Sequence, residues 1–281
     1  MSPLYALTDL DGTLLQPDAT LSAMTKDAIT RLLEQGHVIS YATARSYTSS
    51  RKAAGSIPWR HPLVLYNGAL LYDPVAGKRL GGAFLDSRLT NELIGLGRTC
   101  GHCPLLFALD EHDRERVLHE KLELGGYRQF AASRPNDPRF RELPELSCPE
   151  TAQTMIITYI GHHDELAGLR ERVSRDYEGR VHLHFMQDTY IADHYFLEIS
   201  HPKANKRDGL IAWAQCVGCR PEETIAFGDN LNDIGLLEAA GIKVAVGNAQ
   251  PALKKAADYV IGANTEDGVA KHLLQLSASR A

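Results

Sequence analysis

A short apolar run, Leu4-Tyr5-Ala6-Leu7, stops at Asp9-Leu10-Asp11-Gly12-Thr13-Leu14. The run reads as a buried parallel strand, and an acid-x-acid pair followed at once by glycine is a turn at its C-terminal end. Open α/β sheets bind their ligands beyond that edge. In continued strand geometry Asp9 and Asp11 share a side. Two carboxylates that close repel unless a cation or a proton sits between them. Gly12 allows a sharp turn that brings backbone N–H groups toward an anion. Carboxylate, cation and amide nest together are what attack on a phosphate needs. Asp-Gly and Gly-Thr are also ordinary turn chemistry, so an Asx-turn is the alternative.

The same grammar of strand, polar turn and helix recurs. Ser22 caps a helix running to about Gln35. The strand Val38–Ala42 then ends in Thr43-Ala44-Arg45-Ser46, where a hydroxyl and a guanidinium suit an anion, or where Thr43 or Ser46 simply caps the next helix. A third strand, Leu63–Tyr66, runs into Asn67-Gly68-Ala69. A hairpin of Leu70–Tyr72 with Arg79–Leu80 leaves Asn67 free to line a cleft. Lys206 falls in the first turn of an apolar helix carrying Leu210, Ile211, Trp213 and Ala214, the end where the helix dipole disfavours a cation. Facing carboxylates would account for it; a solvated surface lysine is the alternative. Thr224–Phe227 ends in Gly228-Asp229-Asn230-Leu231-Asn232-Asp233, a second acidic turn, with an N-cap at Asp229 as the competing reading. Short strands at Ile242–Ala249 and Tyr259–Ile261 follow, with helices over Pro251–Ala257 and Asp267–Leu276.

Between Ala83 and Asp193 these strand-end motifs cease. The pattern there predicts a helix over Leu89–Leu96, a strand over Pro104–Leu109 and a loop from Arg134 to Pro149. A strand over Met155–Ile160, a helix over Asp164–Tyr177 and a strand over Val181–Phe185 follow. His182 and His184 share one face of that last strand, as a metal site or an exposed polar face. Phe196–Ile199 starts the return. The expected fold is α/β: a Rossmann-like parallel-sheet core (1–82 and 194–281) with an inserted α+β cap (83–193) standing over the edge where the polar turns fall.

At 281 residues the chain suits one large or two modest domains. With 30 basic and 35 acidic residues and a pI near 6.2, it has no general attraction for nucleic acid or an acidic membrane. No apolar segment of signal length opens it, and none approaches the roughly 20 residues of a membrane span. A cytoplasmic monomer or homodimer is expected. Five cysteines argue against a disulfide framework. The pairs Cys100/Cys103 and Cys216/Cys219 have zinc-knuckle spacing, but they read better as buried, reduced packing residues.

The ordered motifs resemble those of the haloacid dehalogenase superfamily of phosphohydrolases, in its Cof-type branch with a large α/β cap. Asp9–Leu14 resembles the family's D-x-D-G-T-L, Thr43-Ala44-Arg45 its T-G-R, Lys206 its lysine motif, and Gly228–Asp233 its G-D-x-x-N-D. The run from Ala240 to Ala249 and Glu266-Asp267-Gly268-Val269 point to the same branch. Two departures are Ala44 in place of the usual glycine and Asn205 in place of an acid often found before the lysine.

The resemblance implies a phosphatase acting on a small phosphorylated metabolite. Asp9 would be the nucleophile, forming an aspartyl-phosphate, and Asp11 the general acid and base. A single Mg²⁺ would be held by Asp9, the Asp11 carbonyl and Asp229, with Asp233 binding it directly or through water. Thr43 and Lys206 would bind phosphate oxygens. Gly12, Arg45, Asn67, Gly68 and Asn232 are further candidates for substrate contacts. In the cap, His184, Asp188, Tyr190 and His194 are candidates for the leaving-group pocket. A phosphotransferase or phosphomutase would use the same aspartyl-phosphate but pass the phosphoryl group to a sugar hydroxyl. A non-catalytic phosphometabolite sensor is the alternative of another class.

Overall fold

The computed structural model describes residues 3–187 and 191–279, so two of the cap candidates, Asp188 and Tyr190, lie outside the described residues. The chain divides into two compact units, 1–82 with 203–281, and 83–202.

In chain order the first unit begins with β1 (Tyr5–Thr8), α1 (Ala23–Glu34), β2 (Val38–Tyr41) and α2 (Tyr47–Ala54). Next come β3 (Leu63–Leu65), β4 (Leu70–Asp73) and β5 (Lys78–Gly82). The second unit holds α3 (Ser87–Thr99), β6 (Leu105–Leu109), β7 (Glu115–His119), α4 (Gly125–Ala132) and β8 (Phe140–Glu142). It continues with β9 (Gln153–Gly161), α5 (His163–Asp176), β10 (His182–Gln187) and β11 (Tyr195–Ser200). The first unit resumes with α6 (Lys206–Val217), β12 (Thr224–Gly228), α7 (Ile234–Ala239) and β13 (Ile242–Ala245). It closes with α8 (Pro251–Ala256), β14 (Tyr259–Val260) and α9 (Gly268–Ala278).

The first unit is built on a five-stranded sheet in the order β14-β13-β12-β1-β2. Every pair in it is parallel. Thr8 lies opposite both Phe227 and Tyr41, so β1, β12 and β2 end at the same level. Ala6, Leu7, Ile39, Ile225, Ala226 and Phe227 are all buried, as central strands covered on both faces require. Ser22 caps α1 by accepting a bond from the Thr25 amide, as expected. Asp267, in left-handed backbone at φ 58°, accepts from the hydroxyls of Ser22 and Thr25 and joins the starts of α1 and α9.

β3 does not extend the parallel sheet as a full member. It pairs antiparallel with β4, which pairs with β5, and touches the β2 end through one parallel bridge, Ala42 to Val64. Its three residues are too few to pair on both sides along their length.

The second unit carries a six-stranded sheet in the order β10-β11-β9-β6-β7-β8. Here three expectations fail. Tyr195–Ser200 does not return to the core: it pairs antiparallel with β9 and β10, and the second unit extends to Pro202 instead of Asp193. Apolar alternation gave the strand but not its sheet. The loop expected from Arg134 to Pro149 contains β8, which pairs with β7 because Val117 takes a backbone bond from its own amide to the Arg139 carbonyl. Cys216 is exposed, although Cys148 is buried, and Cys100 and Cys103 pack against the α3–α5 side of this unit. Of the two histidines on β10, His182 is exposed and His184 is partly buried.

Among the described residues, no helix is long and apolar enough to cross a membrane.

Candidate active site

Asp9 follows β1 directly, and its amide donates to the Phe227 carbonyl at 2.9 Å, fixing it beside β12. The chain then makes one wide turn, closed by the Leu15 amide on the Leu10 carbonyl at 2.8 Å. Gly12 is at φ 73°, and a Cβ there would lie 2.4 Å from Asp229 Oδ2. Both the backbone angle and the approach of Asp229 therefore demand glycine. Thr13 Oγ1 donates to Asp229 Oδ1 at 2.8 Å, which ties the first acidic turn to the second.

Asp229 follows β12, and Asp233 lies one turn further along. Asp233 Oδ2 accepts from the amides of Asp229 and Asn230 at 3.0 and 3.1 Å, so it is buried and shaped by its own loop. Its other oxygen, Oδ1, takes a bond from Lys206 Nζ at 2.6 Å, and the same ammonium is 2.7 Å from Asp9 Oδ1. Lys206 keeps only 1% of its side-chain surface accessible. It starts α6, where Asn205 caps the helix by accepting from the Asp208 amide. Its position at the unfavourable end of the dipole is offset by the two carboxylates it faces.

Burial opposes the charge on Lys206, but Asp233 and Asp9 outweigh it and hold the ammonium well above the usual lysine range. The Asp9 carboxyl is pushed up by burial and by Asp233, against the pull of Lys206. Asp229 is also raised, by burial and Asp233, with the Thr13 bond opposing. One cation shared among three acids leaves excess negative charge. Asp9, Asp229 and Asp233 each offer an oxygen, and these lie within 4.8 Å of one another. An all-oxygen, anionic donor set of that size fits a hard divalent cation.

Asp11 stands outside this cluster. Its carboxylate is half exposed and gripped by Arg45, with Nε to Oδ2 at 2.7 Å and Nη2 on Oδ1. Thr43 is fully buried at the end of β2, and its hydroxyl accepts from the Arg45 amide at 3.1 Å. The Asn67 amide donates to the Thr43 carbonyl at 2.9 Å. Asn67 is itself left-handed at φ 53°, and Gly68, at φ 103°, passes so close to α6 that a Cβ would meet the Asn205 carbonyl at 2.2 Å. Asn232 Nδ2 donates to Asn67 Oδ1 at 3.2 Å, bringing two sequence candidates into contact. All the core candidates thus collect at one sheet edge. The cap candidates His184 and His194 belong to the other unit and are described within it.

The sequence reading assigned no role to Asn248. Its Nδ2 donates to the Gly12 carbonyl at 2.7 Å, and its Oδ1 accepts from the Asn264 amide at 3.0 Å. Buried Asn264 in turn donates to the Leu15 carbonyl at 2.8 Å. The two asparagines, bonded to each other, hold the first acidic turn at Gly12 and at Leu15. Asn248 lies in the Gly-Asn-Ala run that marked the branch, which was the available signal. A groove of about 410 Å³ in the second unit, lined by Asp110, Arg116 and Arg141 among others, contains none of the candidates.

The sequence matches the model of the haloacid dehalogenase-like hydrolases over residues 6–273. The chain belongs to this family. Within it, the chain is a Cof-type phosphohydrolase, an α/β enzyme of the phosphatase class. It is 30% identical over 271 residues to the pyridoxal phosphate phosphatase YbhA of Escherichia coli (strain K12), covering 94% of this chain and 95% of that one. It is 29% identical to the 5-amino-6-(5-phospho-D-ribitylamino)uracil phosphatase YitU of Bacillus subtilis (strain 168), covering 96% of both. A haloacid dehalogenase-like hydrolase from Bacteroides thetaiotaomicron shares the fold, with a TM-score of 0.80 at 24% identity over 98% of this chain and 100% of that one.

Proposed function

We propose that this phosphatase hydrolyses a small phosphomonoester in two displacements, with Asp9 as nucleophile and Mg²⁺ in the carboxylate cluster. The observation that carries the reading is Lys206 bridging Asp9 and Asp233, beside Asp229, at the common end of β1 and β12. A lysine there holds Asp9 in one orientation and supplies positive charge for phosphate oxygens.

In the first displacement a bond forms from an Asp9 oxygen to phosphorus while the ester P–O bond breaks. Asp11 gives its proton to the departing oxygen. In the second, water loses a proton to Asp11 and attacks the aspartyl-phosphate, releasing phosphate and restoring Asp9. Arg45 holds the Asp11 carboxylate at the site and gives up one of its oxygens when Asp11 carries the proton for the leaving group, and the amides of the Gly12 turn with the Thr43 hydroxyl receive phosphate oxygens. Asp9, Asp229 and Asp233 would hold the Mg²⁺, with the Asp11 carbonyl a fourth candidate. When bound, it lets an anionic carboxylate and an anionic phosphate approach. Asn67 and Asn232, joined to each other, stand as a further contact for phosphate or leaving group.

The 83–202 unit is assigned the choice of ester. Two relatives are named for phosphorylated small molecules, pyridoxal phosphate and a ribitylaminouracil phosphate, which supports a small phosphometabolite as substrate. The test is phosphate release from a panel of phosphomonoesters with and without Mg²⁺, beside Asp9→Asn. Metal-dependent release that Asp9→Asn loses is expected. Transfer to an added sugar without free phosphate would turn the reading to a phosphotransferase. Binding of an ester without turnover would turn it to a sensor.

A further inference from the structure

Three loops of the first unit meet beside the carboxylate cluster, and the third carries no acid. The first two are the Gly12 turn and the turn that holds Asp229 and Asp233. The third is loop 247–250, between β13 and α8. It bonds to both of the others. Asn248 Nδ2 donates to the Gly12 carbonyl at 2.7 Å, and the Gln250 amide donates to the Asp229 carbonyl at 2.8 Å. The remaining side of this triangle is the direct approach of Gly12 to Asp229, where a Cβ would lie 2.4 Å from Oδ2.

Loop 247–250 is itself anchored. The Gly247 amide donates to the Gly262 carbonyl at 3.4 Å, and the Ala249 amide to the Val246 carbonyl at 2.9 Å. The Lys254 ammonium donates to the Gly247 carbonyl at 2.5 Å. Val246 and Ala249 are buried, yet Asn248 is exposed. Both ends of its carboxamide are nevertheless used on distant segments, Nδ2 on Gly12 and Oδ1 on the Asn264 amide. An exposed hydrogen bond contributes little to stability, because water replaces it. What such a bond does supply is a fixed geometry. Gly12 has no side chain to pack and stands in left-handed backbone, so its carbonyl takes its direction from the donor it meets. A carbonyl turned back into the site would set the negative end of its dipole against the anion that the turn receives.

We propose that Asn248 is a positioning residue for phosphate and Mg²⁺. It keeps the Gly12 carbonyl out of the anion's place and sets the spacing between the Gly12 turn and Asp229. The amides of the turn and the Asp229 carboxylate then act on one bound group, which Asn248 itself does not touch. The task calls for a carboxamide, which donates and accepts at once. A carboxylate there would have no donor for Gly12 and would add negative charge beside three acids. The proposal rests on the reading of the cluster as a site for phosphate and Mg²⁺.

The test compares wild type, Asn248→Ala and Ser50→Ala. The last is a control in α2 that loses a hydroxyl bonded to Tyr41. Titration calorimetry gives the Kd of Mg²⁺, and the Kd of inorganic phosphate at saturating Mg²⁺; thermal melts check folding, and kcat/KM is read on the best ester of the panel. Asn248→Ala is expected to melt close to wild type and to weaken both affinities several-fold. Its kcat/KM should fall about ten-fold, within the hundred-fold cost of a misplacement of about 1 Å. Ser50→Ala is expected to keep both affinities, whatever its melting temperature. Unchanged affinities in folded Asn248→Ala would overturn the proposal, as would an equal loss in Ser50→Ala, which general loosening would produce. If wild type bound Mg²⁺ and phosphate but released none from any ester, the phosphatase reading would fall, and the two affinities would still decide the role of Asn248. Wild type that bound neither would overturn both.

Discussion

The Arg45 guanidinium holds both oxygens of the Asp11 carboxylate, and the two side chains are a quarter and a half exposed. An ion pair that open to water contributes at most about 1 kcal/mol to stability, so its geometric role outweighs its energetic one. Arg45→Met is expected to leave the melting temperature nearly unchanged. It should lower kcat about ten- to a hundred-fold, the scale of a misplaced catalytic group. Equal melts with an unchanged kcat would show that Asp11 needs no such grip.

Lys206 behaves in the opposite way. Its removal leaves Asp9 and Asp233 buried with no cation between them. Lys206→Met is expected to cost about 3–5 kcal/mol at neutral pH, measured by urea denaturation, and to abolish turnover. A small stability loss would mean that water reaches the cluster freely.

The Gly12 turn is tested by one methyl group. Gly12→Ala would force a positive φ on alanine and drive its Cβ into the Asp229 carboxylate. Phosphate release should fall by two orders of magnitude or more, while the far-UV circular dichroism of the sheet persists. Full activity in Gly12→Ala would show that the turn and Asp229 can part without harm.

Divalent cation should relieve the crowding of Asp9, Asp229 and Asp233. Millimolar Mg²⁺ is expected to raise the melting temperature, by mass action on the folded state. Asp229→Asn should weaken that rise, and chelator should abolish phosphate release reversibly. A melting temperature indifferent to Mg²⁺ in wild type would count against a metal in this cluster.

Glu198 gives a pH dependence of definite sign. Burial puts its folded value at about 7, above its ordinary 4.5. The stability it permits is therefore fully present below pH 4.5 and is lost as pH rises through 7. That is up to about 3 kcal/mol of difference. Glu198→Gln should flatten this part of the curve and make the free protein more stable than wild type at pH 8. A less stable Glu198→Gln at pH 8 would place a hidden partner on the carboxylate.

Part of the first unit was readable in the sequence because Asp9, Thr43 and Asp229 lie just beyond short apolar strands. Asp9 and Asp229 mark where β1 and β12 stop, and Lys206 begins α6. Taken singly, each of these positions also read as a turn, a cap or a surface lysine; the resemblance of the ordered motifs to a known family is what made them candidates. Contacts between distant loops were not readable: the bonds of Asn248 to Gly12 and of Asn232 to Asn67 span 236 and 165 residues. β11 shows a different limit. Tyr195–Ser200 has the apolar alternation of a strand, but alternation does not name the neighbour, and the strand joined β9 and β10. β8 was missed because three residues rich in charge carry no periodic signal.

The pairing of Tyr5 with Thr224 has a consequence for synthesis on the ribosome. One edge of β1 must wait for a partner made more than two hundred residues later, while every strand of the six-stranded sheet lies within 83–202. The inserted unit can therefore close while the outer sheet is still half made. The nascent chain carries β1 with one ladder of amides and carbonyls unsatisfied until β12 emerges, and the acidic turn beside it takes shape only then. Catalytic competence is one of the last properties this chain acquires as it is made.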